Sequence, residues 1–200
     1  RELDQLSQAL GAWFQAQGLP AGSRIALMLP NLPQFAVTMA AVLRAGYTCV
    51  NVNPLYTARE LEHQLKDSGA SAIVILENFA STLSEVIEHT QIQHTVLASI
   101  GDLLGPFYGR WMTFAVRHLA KMVPEFELPL SDKHKVTSFK QAISEGRQLT
   151  FKSVPQSLDD IAFLQYTGGT TGLSKGAVLT HRNIVAAILQ AETWFAPALE

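Results

Sequence analysis

The sequence predicts an α/β fold with a largely parallel sheet and helices on its faces. Short apolar runs, typical of buried strands, alternate with segments of helical periodicity over residues 1–100. The chain has 200 residues and is 48% apolar, which suits one domain with a sizeable core. Its net charge of −2 gives no reason to expect a nucleic-acid partner.

The elements of the first hundred residues follow one another in a regular order. Apolar residues recur at helical spacing over 3–14, and the glycines of 18–22 end that helix. Pro33 suits the first turn of the next helix, and Thr57 with Glu60 forms a capping-box pattern at the start of a third. The predicted strands are 24–29, 47–52, 71–76 and 94–98, and the predicted helices are 3–14, 33–43, 57–68 and 79–88.

Residues 101–155 interrupt this order. Their glycines and prolines are Gly101, Gly105, Pro106, Gly109, Pro124, Pro129 and Pro155, among others. We therefore expect an irregular insertion that crosses the surface of the domain. The longest apolar stretch of the chain, residues 35–43, is too short to span a bilayer.

One segment of this insertion has the pattern of an amphipathic helix, from Arg110 to Val123. At 100° per residue, Arg110, Arg117 and Lys121 fall in a stripe about 40° wide, opposite a broad apolar side that includes Trp111. An interfacial helix on a membrane has this pattern. An ordinary surface helix with a solvated basic edge has it too, and we favour that second interpretation.

The most informative segment of the chain is a run of eleven residues that holds four glycines, three threonines, one lysine and no acid. Glycine lets backbone N–H groups turn toward one point, threonine hydroxyls add donors, and the lysine adds a positive charge. This composition predicts a loop that wraps a polyphosphate, although a mobile turn is the plainer alternative. The residues are Tyr166, Thr167, Gly168, Gly169, Thr170, Thr171, Gly172, Leu173, Ser174, Lys175 and Gly176.

Predicted strands flank this loop, over residues 161–166 before it and 177–180 after it. The loop is not a Walker A motif, because Ser174 precedes Lys175 and a glycine follows it. A dinucleotide fingerprint is also excluded, since the loop lacks the Gly-x-Gly-x-x-Gly spacing. The region 156–200 therefore predicts a strand, a phosphate loop, a second strand and a helix.

Other reactive side chains have structural interpretations. Cys49 is the single cysteine and lies in an apolar run, which indicates a buried thiol and fits a reducing compartment. Asp159 and Asp160 are interpreted as solvated residues at a strand entry rather than a metal pair. The histidines lack metal-ligand spacing. His181 is expected to pack or to help cap the helix after Thr180, and a place near an acyl-binding wall is the alternative.

The run from Tyr166 to Gly176 resembles the phosphate-binding signature of the acyl-adenylate-forming (AMP-binding) superfamily, which includes acyl-CoA synthetases and luciferases. Gly168 stands where serine is commonest in that signature, and Ser174 where proline is commonest. The glycine variant is similar to the long-chain fatty acyl-CoA synthetase branch. Residues 43–70 and 176–183 also resemble the N-terminal part of bacterial long-chain fatty acid–CoA ligases.

The resemblance implies ATP-dependent activation of a fatty acid to an acyl-adenylate and then to acyl-CoA, with magnesium as cofactor. It implies an acid–thiol ligase whose ATP-binding residues are 166–176. It also implies a C-terminal domain with a catalytic lysine and a later acidic motif, which these residues do not contain. We accordingly assign no catalytic residue and no metal ligand here, and expect 1–200 to be an inactive fragment of the N-terminal AMP-binding domain.

The sequence leaves several alternative functions open. A fatty acyl-AMP ligase, an aryl-CoA ligase, or a non-catalytic module that binds nucleotide or lipid would carry a similar loop. The expected partners are the fatty acid, ATP and coenzyme A, and the expected location is the cytoplasm. Peripheral contact with the inner face of the membrane and a homodimer are both left open.

Overall fold

A computed structural model describes residues 1–129, 133–167 and 174–199, and for residues 197–199 it describes the backbone only. Within these residues the sheet has seven strands. They are β1 (Arg24–Met28), β2 (Thr48–Asn51), β3 (Ala72–Leu76), β4 (His94–Ala98), β5 (Lys135–Ser138), β6 (Ile161–Thr167) and β7 (Lys175–Thr180). Their order across the sheet is β5-β4-β3-β1-β2-β6-β7. Each neighbouring pair is parallel except β6 and β7, which are antiparallel, so the predicted largely parallel sheet is confirmed.

The helices connect these strands. They are α1 (Glu2–Ala16), α2 (Pro33–Arg44), α3 (Ala58–Ser68), α4 (Ala80–Ser84), α5 (Pro106–Phe114), α6 (Phe139–Gly146) and α7 (His181–Leu199). The α3 helix begins with the predicted capping box, in which Thr57 and Glu60 exchange hydrogen bonds. At the start of α7, the Thr180 hydroxyl oxygen accepts from the backbone N–H of Asn183 at 3.4 Å, so the predicted cap at Thr180 is present. The Thr180 backbone N–H donates in return to Oδ1 of Asn183.

Two apolar cores lie on opposite faces of the sheet. Alternate residues of each strand point to opposite faces, so Ile25 and Leu27 of β1 enter one core while Ala26 and Met28 enter the other. Helices α1, α2 and α6 cover the first face, and α3 and α4 cover the second. Cys49 is fully buried in the first core, as expected for a structural thiol, and burial raises the pKa of its thiol.

The second half of the segment 101–155 differs from the expected irregular insertion. Lys135–Ser138 forms the edge strand β5, parallel to β4, and α6 follows it directly. Phe139 and Ala142 of α6 are fully buried against the first core. The sequence does not predict β5, because an edge strand with the sequence Lys-Val-Thr-Ser lacks a continuous apolar run.

Two predicted helices also have different bounds. The predicted helix 79–88 is replaced by the short α4, with 3₁₀ turns at Glu77–Phe79 and Ile87–His89 on either side. The predicted amphipathic helix over Arg110–Val123 instead begins at Pro106, and a π-helical turn at Ala115–Leu119 continues it.

The π-helical turn changes the basic stripe that the sequence predicts. Arg117 lies in this turn, where each residue rotates by less than the assumed 100°. Its guanidinium is paired with Glu77, whose carboxylate is 1% exposed. Arg117 is therefore committed to an ion pair at the carboxyl end of β3 and does not continue a free basic ridge from Arg110 to Lys121.

Candidate nucleotide-binding site

The two strands that flank the predicted phosphate loop form a hydrogen-bonded hairpin. Thr167 at the end of β6 pairs with Lys175 at the start of β7, so the loop leaves and re-enters the sheet at one point. This point lies at the carboxyl edge of the parallel sheet, beside β2, the edge where α/β proteins bind ligands. The predicted site residues Gly168, Gly169, Thr170, Thr171, Gly172 and Leu173 lie outside the described residues.

Lys175 and Thr167 have exposed side chains at the base of the loop. Because they are directly opposed in an antiparallel ladder, their side chains share one face of the sheet. No ion pair engages Lys175 within the part of the chain that the structure describes. The ammonium group is thus available to a negatively charged ligand at the loop.

Tyr166 is buried on the opposite face. Its hydroxyl donates a hydrogen bond of 2.5 Å to Oδ2 of Asp67, a residue near the end of α3. Burial raises the pKa of the Tyr166 phenol, and the bond to the Asp67 carboxylate raises it further. The hydroxyl therefore stays protonated at neutral pH and ties β6 to α3.

The other end of the loop also contacts α3. Ser174 is half-buried, and its carbonyl oxygen lies 3.1 Å from Nε2 of His63. Since a carbonyl can only accept, the His63 ring must carry a proton on Nε2. Gly176 follows Lys175 and lies beneath the ring of Tyr166.

A row of amide side chains lies where β2 and β6 end. Asn51 donates from Nδ2 to Oε1 of Gln165 at 2.9 Å, and Gln64 of α3 donates from Nε2 to the Asn51 carbonyl at 2.7 Å. Gln64 is fully buried. These residues are absent from the predicted site. The signal in the sequence is that polar Asn51 and Gln165 stand in strands that are otherwise mostly apolar.

The remaining candidates have partners of their own. Asp159 is ion-paired with Arg182 at 2.9 Å, and both side chains are largely exposed. The Asp160 carboxylate accepts from the backbone N–H of Ser157 at 2.7 Å. His181 begins α7, and its backbone N–H donates to the Asp160 carbonyl.

The described residues do not fit a magnesium site by themselves. Within 1–129, 133–167 and 174–199, no three acidic, histidine or cysteine side chains are grouped closely enough to hold a metal ion. Asp67, a carboxylate beside the base of the loop, already accepts the Tyr166 hydroxyl. We therefore derive no chemical step through a metal ion.

Comparison with known proteins gives consistent matches. A family model described as AMP-binding enzyme matches residues 1–198. The long-chain-fatty-acid–CoA ligase of Salmonella typhimurium is 46% identical over 200 residues, covering all of this chain and 35% of that protein. The protein of the same name from Haemophilus influenzae is 47% identical over 197 residues, covering 98% of this chain and 34% of that protein. The chain thus spans about a third of the length of these relatives.

Solved structures show the same fold. A long-chain-fatty-acid-CoA ligase from Archaeoglobus fulgidus superposes with a TM-score of 0.71 and 26% identity, over 96% of this chain and 31% of that one. The adenylation domain of a carboxylate reductase from Mycobacterium chelonae gives a TM-score of 0.70. This second similarity has 22% identity over 91% of this chain and 27% of that one, so it supports the fold alone.

Proposed function

The chain belongs to the AMP-binding enzyme family, and from this premise we propose that it supplies the ATP-phosphate-binding loop of a long-chain fatty acid–CoA ligase. The observation that carries the proposal is the hairpin base at the carboxyl edge of the sheet, where Lys175 is exposed and unpaired among the described residues. The names of the relatives at 46% and 47% identity support the long-chain acid as substrate.

The proposed first step joins the fatty acid carboxylate to the α-phosphate of ATP. A carboxylate oxygen attacks the α-phosphorus, the bond from that phosphorus to the bridging oxygen breaks, and pyrophosphate leaves. Negative charge increases on the leaving pyrophosphate, so a cation and hydrogen-bond donors fixed beside the β- and γ-phosphates accelerate the step. Thr167 and Lys175 pair at the base of the loop, and we propose that the Lys175 ammonium and the Thr167 hydroxyl have this role.

We propose that the whole run from Tyr166 to Gly176 binds ATP, but with a division of roles. Lys175, Thr167 and the intervening glycines and threonines face the phosphates. Tyr166 supports the loop from the opposite face of the sheet, since its hydroxyl is bonded to Asp67 and its ring is buried. Gly176 provides the space that the Tyr166 ring occupies.

In the second proposed step, coenzyme A attacks the acyl-adenylate and releases AMP. We propose that residues 1–200 form part of the N-terminal AMP-binding domain. The magnesium ligands, the catalytic lysine and most of the coenzyme A site would then come from sequence corresponding to the other two thirds of the relatives' length. The cytoplasm, where ATP and coenzyme A are abundant, is the proposed location.

We further propose that α5 and the turn after it rest on a membrane surface, the source of a long-chain acid. Large apolar side chains are exposed here: Phe107 at 89%, Trp111 at 59% and Leu119 at 68%. Arg110 and Lys121 add exposed positive charge that suits anionic head groups. The part of the chain that the structure describes contains no helix with the length and hydropathy of a membrane span.

Exchange of labelled pyrophosphate into ATP tests the proposal on the full-length protein. We expect exchange that depends on a fatty acid and increases with chain length, followed by thioester formation when coenzyme A is added. Exchange without thioester would indicate a fatty acyl-AMP ligase, and preference for aromatic acids an aryl-CoA ligase. ATP binding with no exchange for any acid would contradict the proposed ligase and indicate a non-catalytic module.

A further inference from the structure

Helix α3 contacts both ends of the phosphate loop. His63 donates from Nε2 to the carbonyl of Ser174, directly before β7, and Asp67 accepts from the hydroxyl of Tyr166, near the end of β6. His63 and Asp67 are one helical turn apart, so they lie on the same face of α3. The two contacts join residues that are 111 and 99 positions apart in the sequence.

The helix that makes these contacts is itself held firmly. Leu61 and Leu65 are fully buried in the second core, and the capping box of Thr57 and Glu60 fixes the first turn. Gln64, also fully buried, donates to the backbone carbonyl of Asn51 at the end of β2. These interactions fix α3 relative to the sheet, so α3 can act as a fixed reference for the loop.

The contact at Ser174 bears directly on the cation of the site. The Ser174 carbonyl and the Lys175 N–H belong to the same planar peptide group, which the structure shows as trans. Holding that carbonyl against His63 therefore fixes the orientation of the peptide plane from which Lys175 emerges. On the other side of the loop, Asp67 holds the side chain of Tyr166 through its hydroxyl, and Tyr166 directly precedes Thr167, the partner of Lys175 in the ladder.

We propose that His63 and Asp67 are positioning residues that hold the two ends of the phosphate loop in the geometry that binds the ATP phosphates. This inference rests on the proposed function of the loop. Neither side chain needs to touch ATP, since each acts through a backbone or side-chain atom of the loop ends. A loop held in advance loses less conformational entropy when the phosphates bind.

The test compares paired variants of the full-length protein. His63→Ala removes the donor to Ser174, whereas His63→Gln keeps an N–H near the position of Nε2. Asp67→Ala removes the acceptor for Tyr166, whereas Asp67→Asn keeps an acceptor oxygen. His89→Ala serves as control, because His89 is an exposed histidine on the surface near α3. The readouts are the Kd for ATP by calorimetry, the KM for ATP in pyrophosphate exchange, and the melting temperature.

Each alanine variant should weaken ATP binding about two- to tenfold, as expected for the loss of one hydrogen bond. The KM for ATP should rise in parallel, the KM for the fatty acid should stay within twofold, and the Gln and Asn variants should recover most of the affinity. His89→Ala should match the parent.

Parental ATP affinity in His63→Ala and Asp67→Ala would overturn the inference. So would an equal loss in the alanine and amide variants, or a fall in melting temperature with no change in ATP affinity, because both indicate a purely structural role. If His63→Ala does not fold, the ATP affinity of His63→Gln becomes the test. The inference then requires His63→Gln to bind ATP nearly as well as the parent. A parent that binds ATP yet lacks exchange activity would contradict the proposed function alone, since the calorimetric comparison still tests the positioning role.

Discussion

The ring of Tyr166 lies over Gly176, its partner across the β6–β7 ladder. A methyl group at residue 176 would come within 3.0 Å of Cε2 and 3.1 Å of Cζ of that ring. The ring cannot move freely away, because it is buried and its hydroxyl is bonded to Asp67. The identity of residue 176 is therefore set by the aromatic ring opposite it.

We expect Gly176→Ala to destabilise the protein by about 1–3 kcal/mol, the range for overpacking a fixed site. Denaturant unfolding measures this cost. The same substitution in a Tyr166→Ala background should cost much less, because the obstructing ring is gone. Strictly additive effects of the two changes would contradict the close contact.

Arg117→Gln should destabilise the protein by about 1.5–3 kcal/mol, because it leaves the buried Glu77 carboxylate without its cationic partner. Thermal or denaturant unfolding at neutral pH is the measurement. Arg110→Gln is the matched control, since Arg110 is exposed on the preceding helix. Equal stability of the two variants would show that the Arg117–Glu77 pair contributes nothing.

His94 should make the folded state sensitive to mild acid. Burial lowers its pKa from the ordinary value of 6.5, and Lys135 and His134 lower it further. As pH falls below about 6.5, the unfolded chain takes up a proton before the folded chain does, so stability is lost toward lower pH. The melting temperature of the parent should thus fall more between pH 7 and pH 5 than that of His94→Gln.

The exposed His89→Gln serves as the control for this measurement and should follow the parent. Identical pH profiles for the parent and His94→Gln would mean that His94 ionises equally in the folded and unfolded states. That result would contradict the lowered pKa.

The membrane contact proposed for α5 is tested by changing Arg110 and Lys121 to Gln and Trp111 to Ala. Arg117 stays unchanged, because its loss would leave the buried Glu77 carboxylate unpaired. The substitution would then alter the stability of the protein as well as its binding to vesicles. Co-sedimentation with anionic vesicles at low salt should fall, since each lost cation removes roughly 1 kcal/mol of attraction. Parental co-sedimentation would leave α5 as a plain surface helix.

A double variant, Arg59→Gln with Lys152→Gln, removes two exposed charges from elsewhere on the surface. It should bind the same vesicles as the parent does. A loss equal to that of the α5 variant would mean that net charge, rather than this surface, governs attachment.

Local patterns in the sequence were sufficient for much of the fold. The capping box of Thr57 and Glu60 involves neighbours three residues apart, and the buried strands are continuous apolar runs. The order strand, loop, strand around the predicted phosphate loop follows from the sequence for the same reason, because β6 is strongly apolar and glycines follow it. The antiparallel pairing of β6 with β7 is a finding of the structure. In contrast, β5 is an edge strand with one apolar residue, Val136, among three polar ones, and its pairing with β4 depends on distant residues.

The contacts by which α3 holds the ends of the loop could not be predicted from local patterns. His63 and Asp67 lie on a polar helix face that resembles any solvated surface, and their partners are about a hundred residues away. The ion pair of Arg117 with Glu77 was missed for a related reason. The direction of the Arg117 side chain depends on a π-helical turn, which a fixed rotation of 100° per residue does not predict.

Pyrophosphate exchange by Lys175→Ala in the full-length protein tests the central claim most directly. Lys175 is the single cation of the loop, and its loss should remove a charge-assisted contact of about 1.5–3 kcal/mol with the phosphates. We expect kcat/KM for fatty-acid-dependent exchange to fall about 10- to 150-fold, with an unchanged melting temperature. The exposed Lys152→Ala should match the parent. Exchange by Lys175→Ala at the parental rate would contradict the assignment of this loop to the ATP phosphates.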